Sequence, residues 1–293
     1  MYPVFKNRGL PYFLLAPSVA VIFVFLFVPS FQSLYLSFFK VAPFGNRRLY
    51  VGMENFKGLF GDPDYLNSIF ATVVFCFFVV VAGLSLSLAL ALALNQKIPG
   101  ISLYRTALIW PYAISPAIAG TIWALMFDPS TGALTYFVYV ISGTQPNWMT
   151  NGSLALSAVT ASATWKMVGY NVIFFLAGLQ AVPAELLESA ALDGAGGWQR
   201  FRRVTFPLLT PTTFFLIIMN ALYGFFEVFG LIDIMTAGGP GRATEILVYK
   251  LYRDGFETLR TGYASAQSIV LFLFVAALTL IQFRAARRWV FYQ

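Results

Sequence analysis

Lys166 is a charged side chain inside a long apolar stretch, in the segment WKMVGYN. If this stretch is helical, Tyr170 lies on the same face at i+4, and Asn171 lies beside it. A partly dehydrated lysine can hold an anion as a point charge, and the phenol and amide can hydrogen-bond hydroxyl groups. This group of side chains therefore predicts a binding function.

Glu227 is the second charged side chain of this kind, in NALYGFFEVFG. Counted at helical spacing, it completes one polar stripe with Asn220, Tyr223 and Gly224. Two polar stripes on different helices predict a cavity between them. The same residues also allow a structural interpretation, in which Lys166 pairs with Glu227 to hold helices together or extends to an interface.

The composition argues against an enzyme. The chain has no histidine and one cysteine, Cys76, so it lacks the commonest general base and cannot form an internal disulfide. No stretch fits the G-x-x-x-x-G-K-[ST] loop that cradles nucleotide phosphates. We expect no catalytic residue, metal site or cofactor on this chain.

The elements that position these residues are membrane spans. Of the 293 residues, 59% are hydrophobic and 11% charged, whereas soluble domains have about 25% charged residues. Stretches of about 20 apolar residues are long enough to cross a bilayer. We predict an all-α, polytopic inner-membrane protein with one transmembrane domain over residues 1–293 and six spans, at about 11–38, 68–94, 104–127, 154–179, 212–232 and 263–283.

The two ends of the chain set the predicted orientation. Lys6 and Arg8 precede the first apolar segment, which is too long for a cleaved signal peptide and is read as an uncleaved span. Basic residues are only slightly more numerous on the predicted cytoplasmic side, so the chain ends decide the orientation. The basic segment FRAARRW closes the last span. Both termini are therefore predicted to be cytoplasmic.

Residues 183–207 form a compact, partly charged element between the fourth and fifth spans. Pro183 can occupy the first helical position, the helix AELLESAALD meets Gly194, and a second helix, WQRFRRVTF, stops near Pro207. The pattern predicts a helix, a glycine turn and a helix in the cytoplasm. Without further information, such a hairpin could simply link two spans and bind lipid headgroups.

The spacing within this element resembles the EAA signature of binding-protein-dependent ABC import permeases. Glu188, Ser189 and Ala190 are followed by Gly194 and then by VTFP, which ends at Pro207. Ser189, Val204 and Phe206 depart from the family pattern by modest changes in size. The match extends through LDGA and PLLTP.

The resemblance implies a role for this element. In that family it is the coupling helix, which inserts into a cleft of the ATP-binding subunit. Glu188 is then expected to contact that subunit, Gly194 to make the turn and Asp193 to hold the turn geometry. The implied partners are a second permease chain, two ATP-binding subunits that bind ATP and Mg, and a periplasmic solute-binding protein.

A second stretch, MTAGGPGRATEILVYKLYRDGF, resembles the loop before the last span in the carbohydrate-type branch of these permeases. Gly238 and Gly239 allow positive φ, and Pro240 stiffens the exit from the loop. Together with Thr244, the loop is expected to lie on the outer side, near the solute-binding protein.

Five further stretches resemble the permeases that import sn-glycerol-3-phosphate, and this similarity covers nearly the whole chain. They are PYFLLAPSV, PFGNRRLYVGMENFKGLF, WPYAISPAIAGTIWALMFDPSTG, WKMVGYNVIFFLAGLQAVP and SAQSIVLFLF. For that solute, Lys166 is expected to contact the phosphate, while Tyr170, Asn171, Asn220 and Tyr223 hydrogen-bond hydroxyls. The residue pattern alone does not specify glycerol phosphate.

Two alternatives remain open from the sequence. The same machinery could carry a neutral sugar or sugar alcohol. An ion-coupled secondary transporter would use an intramembrane carboxylate, which Glu227 supplies, but it would be expected to show repeated halves, and none is visible.

Overall fold

The computed structural model of this chain describes residues 10–43, 47–96 and 99–289, without the side chains of 287–289. Lys6 and Arg8, on which part of the predicted orientation rests, lie outside the described residues.

The described chain is almost entirely helical. Its helices are α1 Leu10–Ile22, α2 Val28–Leu36, α3 Glu54–Gly61, α4 Pro63–Leu94, α5 Ile101–Ala113, α6 Pro116–Met126, α7 Ala133–Ser142, α8 Gly152–Gln180, α9 Ala184–Leu192, α10 Gly197–Arg200, α11 Phe206–Leu208, α12 Thr210–Leu222, α13 Phe229–Met235, α14 Leu247–Tyr252 and α15 Thr261–Trp289. Five-residue π-helical turns occur at Phe23–Phe27, Phe201–Thr205, Tyr223–Glu227 and Arg253–Glu257.

Two short strands, β1 Phe39–Val41 and β2 Arg48–Tyr50, pair antiparallel with Phe39 opposite Tyr50. They belong to a compact unit made of the described residues within 1–62 and 251–273. In this unit, the Asn55 amide of α3 donates to the carbonyls of Ser37 and Phe39, at 2.8 and 3.0 Å. These bonds fix α3 against the start of the β1–β2 strand pair.

Within the described residues, three helices are long and apolar enough to cross a membrane on their own, namely Leu10–Leu36, Pro63–Leu94 and Thr261–Ala286. Three bent helix pairs raise the number to six if each pair counts as one span. The third predicted span, 104–127, is one of these pairs, with a bend of 101° between α5 and α6.

Proline chemistry explains the break in the third span. Ser115 precedes Pro116 and is extended, at φ −61° and ψ 150°, as expected for a residue whose α conformation a following proline disfavours. Ile114 is extended too, and the Ser115 hydroxyl caps the new helix by accepting from the Ile118 N–H at 3.3 Å.

The larger compact unit, residues 63–250 and 274–293, contains the main apolar core between α4, α8 and α12. Val172, Phe175 and Leu216 are fully buried there. Small residues let the helices approach closely, since a Cβ on Gly224 would lie 2.6 Å from the Cys76 sulfur. This packing positions the polar residues of α8 and α12.

Candidate functional site

The element at 183–207 has the predicted shape of a helix, a turn and a helix. Its first helix is α9, which starts at Ala184, so Pro183 is the N-cap residue and not the first helical one. The reason is its extended backbone, at ψ 127°. Together α9, the turn and the helical segment that ends at Leu208 are called the hairpin below.

Gly194 makes the turn through a Schellman motif. Its φ is +83°, its N–H donates to the Ala191 carbonyl at 3.0 Å, and the Ala195 N–H donates to the Ala190 carbonyl at 2.9 Å. A Cβ on Gly194 would meet no heavy atom within 4 Å, so backbone conformation alone requires glycine here. Asp193 is the C-cap residue of α9.

The second arm of the hairpin ends near Pro207, as the sequence predicts. It continues to Leu208 and then bends by 64° into α12. The π-helical turn Phe201–Thr205 directly precedes this proline. Such a turn already interrupts the regular hydrogen-bond ladder, so a residue without an N–H is tolerated after it.

The hairpin presents an uncovered surface. No residue of α9 is buried, and Glu188 and Ser189 are exposed. Two large apolar side chains flank the turn, Leu192 with 90% exposure and Trp198 with 70%. Apolar side chains this exposed next to charged ones are typical of a protein docking surface. Sequence reasoning missed both residues.

Lys166 is buried, with 5% exposure, and its ammonium is engaged by backbone. It donates to the Tyr112 carbonyl at 3.1 Å and to the Ile114 carbonyl. These carbonyls belong to the end of α5, where the break in the third span removes their helical partners. A cation at a helix C-terminus is favoured by the helix dipole as well.

The pairing of Lys166 with Glu227, which the sequence left open, is not found among the described residues. Glu227 is exposed, and no ion pair within 4.0 Å joins the two side chains. Lys166 instead fixes α8 to the end of α5. One of its three N–H donors is not accounted for by the two carbonyls.

Asn171 and Asn220 are fully buried and bind each other. The Asn171 amide donates to Asn220 at 3.1 Å, and the Asn220 amide donates back at 2.7 Å. A Cβ added to Gly83 of α4 would lie 3.5 Å from Asn171, so α4 closes over the pair. In this structure the pair joins helices, and its contact with a solute stays a prediction.

The remaining residues of the two predicted stripes differ in accessibility. The Tyr223 hydroxyl is buried and has no hydrogen-bond partner in the described part of the chain. Tyr170 is half-buried and packs between Tyr112 and Phe174, with ring centroids 5.0 and 4.8 Å away. Tyr112, which sequence reasoning missed, is 43% exposed.

The loop predicted to lie on the outer side brings together the four residues predicted for it. Thr244 is fully buried, its hydroxyl donates to the Gly239 carbonyl at 2.8 Å, and its N–H donates to the Gly238 carbonyl at 3.3 Å. Gly238 has φ +79° and lies under the Tyr249 ring, where a Cβ would clash at 2.9 Å. Pro240 accepts from the Ala243 N–H at 2.9 Å. Thr244 thus closes the loop.

A tight turn follows α6. The Asp128 carboxylate accepts from the hydroxyls and N–H groups of Ser130 and Thr131, at 2.6 to 3.0 Å. The Ser130 hydroxyl foremost, and the other donors with it, holds the pKa of Asp128 below its ordinary value, because they stabilise the charged form.

Comparison with known proteins gives full-length relatives, although no family model matches the chain. The sn-glycerol-3-phosphate transport system permease protein UgpA of Brucella suis biovar 1 (strain 1330) is 46% identical over 290 residues, which cover 98% of each chain. The protein of the same name from Escherichia coli O157:H7 is 40% identical over 291 residues, covering 99% of this chain and 98% of that one.

Among solved structures, a bacterial alginate ABC transporter in complex with an alginate pentasaccharide-bound periplasmic protein contains a similar chain. The TM-score is 0.84 at 23% identity, over 97% of this chain and 96% of that chain. This similarity confirms the predicted all-α fold of an ABC importer permease.

Proposed function

Because the chain belongs to the UgpA family of sn-glycerol-3-phosphate transport system permease proteins, we propose that it forms the transport path of an ATP-driven importer for sn-glycerol-3-phosphate or glycerophosphodiesters. The observation that carries the proposal is sequence similarity along almost the full length of both chains.

The hairpin is the element through which ATP hydrolysis acts in this proposal. Two partner subunits bind ATP and Mg, and Leu192 and Trp198 enter a cleft on one of them while Glu188 pairs with a basic residue. The exposure of all three side chains supports this role. This chain itself supplies no catalytic group.

The assembly would contain a second, different permease chain, the two ATP-binding subunits and a periplasmic solute-binding protein, but no nucleic acid. In the bacterial inner membrane, surrounded by lipid, the hairpin and both termini would face the cytoplasm. The loop closed by Thr244 would then face the periplasm, where the solute-binding protein delivers its cargo.

The solute path would follow the exposed side of α5, α8 and α12. Aromatic rings form a continuous row there, from Tyr112 through Tyr170 and Phe174 to Phe215, with centroids 4.8 to 5.0 Å apart. Tyr170 would bind solute hydroxyls directly. Lys166 would reach the phosphate with its remaining donor, and the pair Asn171 and Asn220, with Tyr223, would become accessible when the spans move.

The test is uptake of radiolabelled sn-glycerol-3-phosphate by cells that lack their own systems for this solute and carry the complete transporter. We expect accumulation that requires an intact ATP-binding subunit and is not reduced by excess maltose. The control is a transporter whose ATP-binding subunit cannot hydrolyse ATP. Competition by maltose would assign the system to neutral sugars, and uptake without the ATP-binding subunit would indicate a secondary transporter.

A further inference from the structure

A cavity of about 390 Å³ lies within the larger compact unit, next to the loop closed by Thr244. Its walls include Phe127 after α6, Trp148 and Met149 before α8, and Asp233 in α13. Gly239 and Pro240 of the loop complete it. We call it the outer cavity.

The outer cavity lies at the end of α8 opposite the hairpin. Ala155 and Ala158, which line it, lie near the N-terminal end of α8. The hairpin follows Gln180, the last residue of α8. At 1.5 Å per residue, these 29 residues extend about 43 Å, which exceeds the thickness of the hydrocarbon core of a bilayer. With the hairpin in the cytoplasm, the outer cavity therefore opens on the periplasmic side.

The charge of the outer cavity comes from Asp233. This carboxylate is half-buried and has no hydrogen bond or ion pair with any described residue. Asp128, after α6, is by contrast fully engaged by Ser130 and Thr131. A negative charge without a partner repels a phosphate monoester, so the outer cavity does not fit the proposed solute.

Aromatic rings line the same cavity as this carboxylate. The Phe127 and Trp148 centroids are 4.8 Å apart, and the Trp148 indole N–H donates to the Thr135 hydroxyl at 2.9 Å, which fixes the ring. Trp123 packs on Phe127 with centroids 5.5 Å apart. A carboxylate next to fixed aromatic rings is a favourable site for a cation, through ion pairing and cation–π attraction together.

We propose that the outer cavity receives an arginine or lysine side chain of the solute-binding protein, with Asp233 as its ion partner and Phe127 and Trp148 as its aromatic walls. This inference rests on the proposed function, because it requires a binding protein on the periplasmic side. The occupied cavity would fix the docked binding protein beside the loop closed by Thr244.

The test is the dissociation constant of the transporter's own solute-binding protein, measured on the purified, assembled complex in detergent. We expect Asp233→Asn to raise the Kd about tenfold at low salt and to weaken its salt dependence, because an interface charge is lost. Asp233→Glu should keep most of the affinity. The matched control is Glu257→Gln, which removes another predicted outer acid that does not line the outer cavity.

An unchanged Kd for Asp233→Asn would overturn the proposal. An effect that occurs only in vesicles containing phosphatidylethanolamine, and not in detergent, would assign the outer cavity to a lipid amine and overturn it as well. Because this Kd measures docking of the binding protein and not transport, failed uptake of sn-glycerol-3-phosphate would contradict the proposed function and leave this result standing. A wild-type complex that binds no such protein would overturn both.

Discussion

At the scale of single residues, Lys166 shows how a membrane protein can bury a charge without pairing it with another. Its ammonium binds the carbonyls of Tyr112 and Ile114, which the break after α5 leaves without helical donors. Unpaired carbonyls and an unpaired ammonium are each costly in an apolar interior. Their combination satisfies both carbonyls and two of the three ammonium donors.

We predict that Lys166→Met destabilises the assembled transporter by about 3 kcal/mol, because charge-assisted hydrogen bonds are lost and two carbonyls remain unpaired. Thermal unfolding of the purified complex measures this effect as a lower Tm. The control is Lys57→Met, which removes an exposed lysine. The KM for uptake, measured on the assembled fraction, separates the two roles of Lys166. It stays unchanged if Lys166 acts only through the backbone, and it rises if the ammonium also contacts the phosphate.

The amide pair of Asn171 and Asn220 gives a second prediction at this scale. Replacing either residue by Leu removes the bonds between the two amides and leaves polar atoms of the other buried, which costs roughly 1–3 kcal/mol. The Asn220 amide keeps one partner, the Leu216 carbonyl at 2.8 Å. Replacing both removes the two polar groups together. We therefore expect the double variant to be more stable than the sum of the single changes indicates, as measured by thermal unfolding in a double-mutant cycle. Strict additivity would show that the bonds between them contribute nothing.

At the scale of elements, the hairpin depends on one backbone conformation. Gly194 sits at φ +83° with open space around its missing side chain, so substitutions there change the backbone energy and little else. For L-residues this region costs about 1–2 kcal/mol, and asparagine tolerates it better than β-branched residues do.

We predict that Gly194→Val strongly reduces solute accumulation and binding of the ATP-binding subunit, whereas Gly194→Asn retains most of both. Pull-down of that subunit and uptake assays measure the two effects. Gly143→Val is the matched control, since Gly143 also ends a helix, has φ +68° and has no neighbour within 4 Å of a Cβ. If Gly143→Val reduced uptake and subunit binding as much as Gly194→Val does, the losses would result from backbone strain in general and not from the hairpin.

The hairpin, the loop closed by Thr244 and the spans were predictable from sequence because their signals are local. Gly194 directly follows α9 and its cap, and Thr244 lies five residues from the carbonyl it binds. The length and apolar composition of the long helices identify the spans. The role of Lys166 was not predictable, since its partners lie 52 and 54 residues away and exist only because α5 breaks. Pro111 and Pro116 indicated a disturbance but not a bend of 101°.

At the scale of the whole molecule, two exposed regions of the described chain are the surfaces proposed for partner proteins. One is the tip of the hairpin, with Leu192 and Trp198, and the other is the outer cavity with Asp233. They lie at opposite ends of α8. A single helix therefore runs from the surface proposed for the ATP-binding subunit to the one proposed for the solute-binding protein.

We predict that Leu192→Asp reduces affinity for the ATP-binding subunit by at least tenfold, because a central apolar anchor becomes a charge that must lose its water on docking. Trp198→Ala should have a similar effect, and Trp198→Phe a smaller one. Co-purification of the subunits, with ATP hydrolysis by the intact complex, measures the change. Unaltered co-purification of Leu192→Asp would place the docking surface elsewhere.

The bonds of Lys166 also constrain the order of events during biosynthesis. The ribosome makes α5 more than 50 residues before it makes Lys166, so the broken helix end leaves the ribosome without its ligand. A bare helix end cannot rest in lipid, because nothing there donates to its carbonyls. We therefore expect the third span to stay in a wet or protein-lined compartment, such as the insertion channel, until the fourth arrives, so that the two enter the bilayer together.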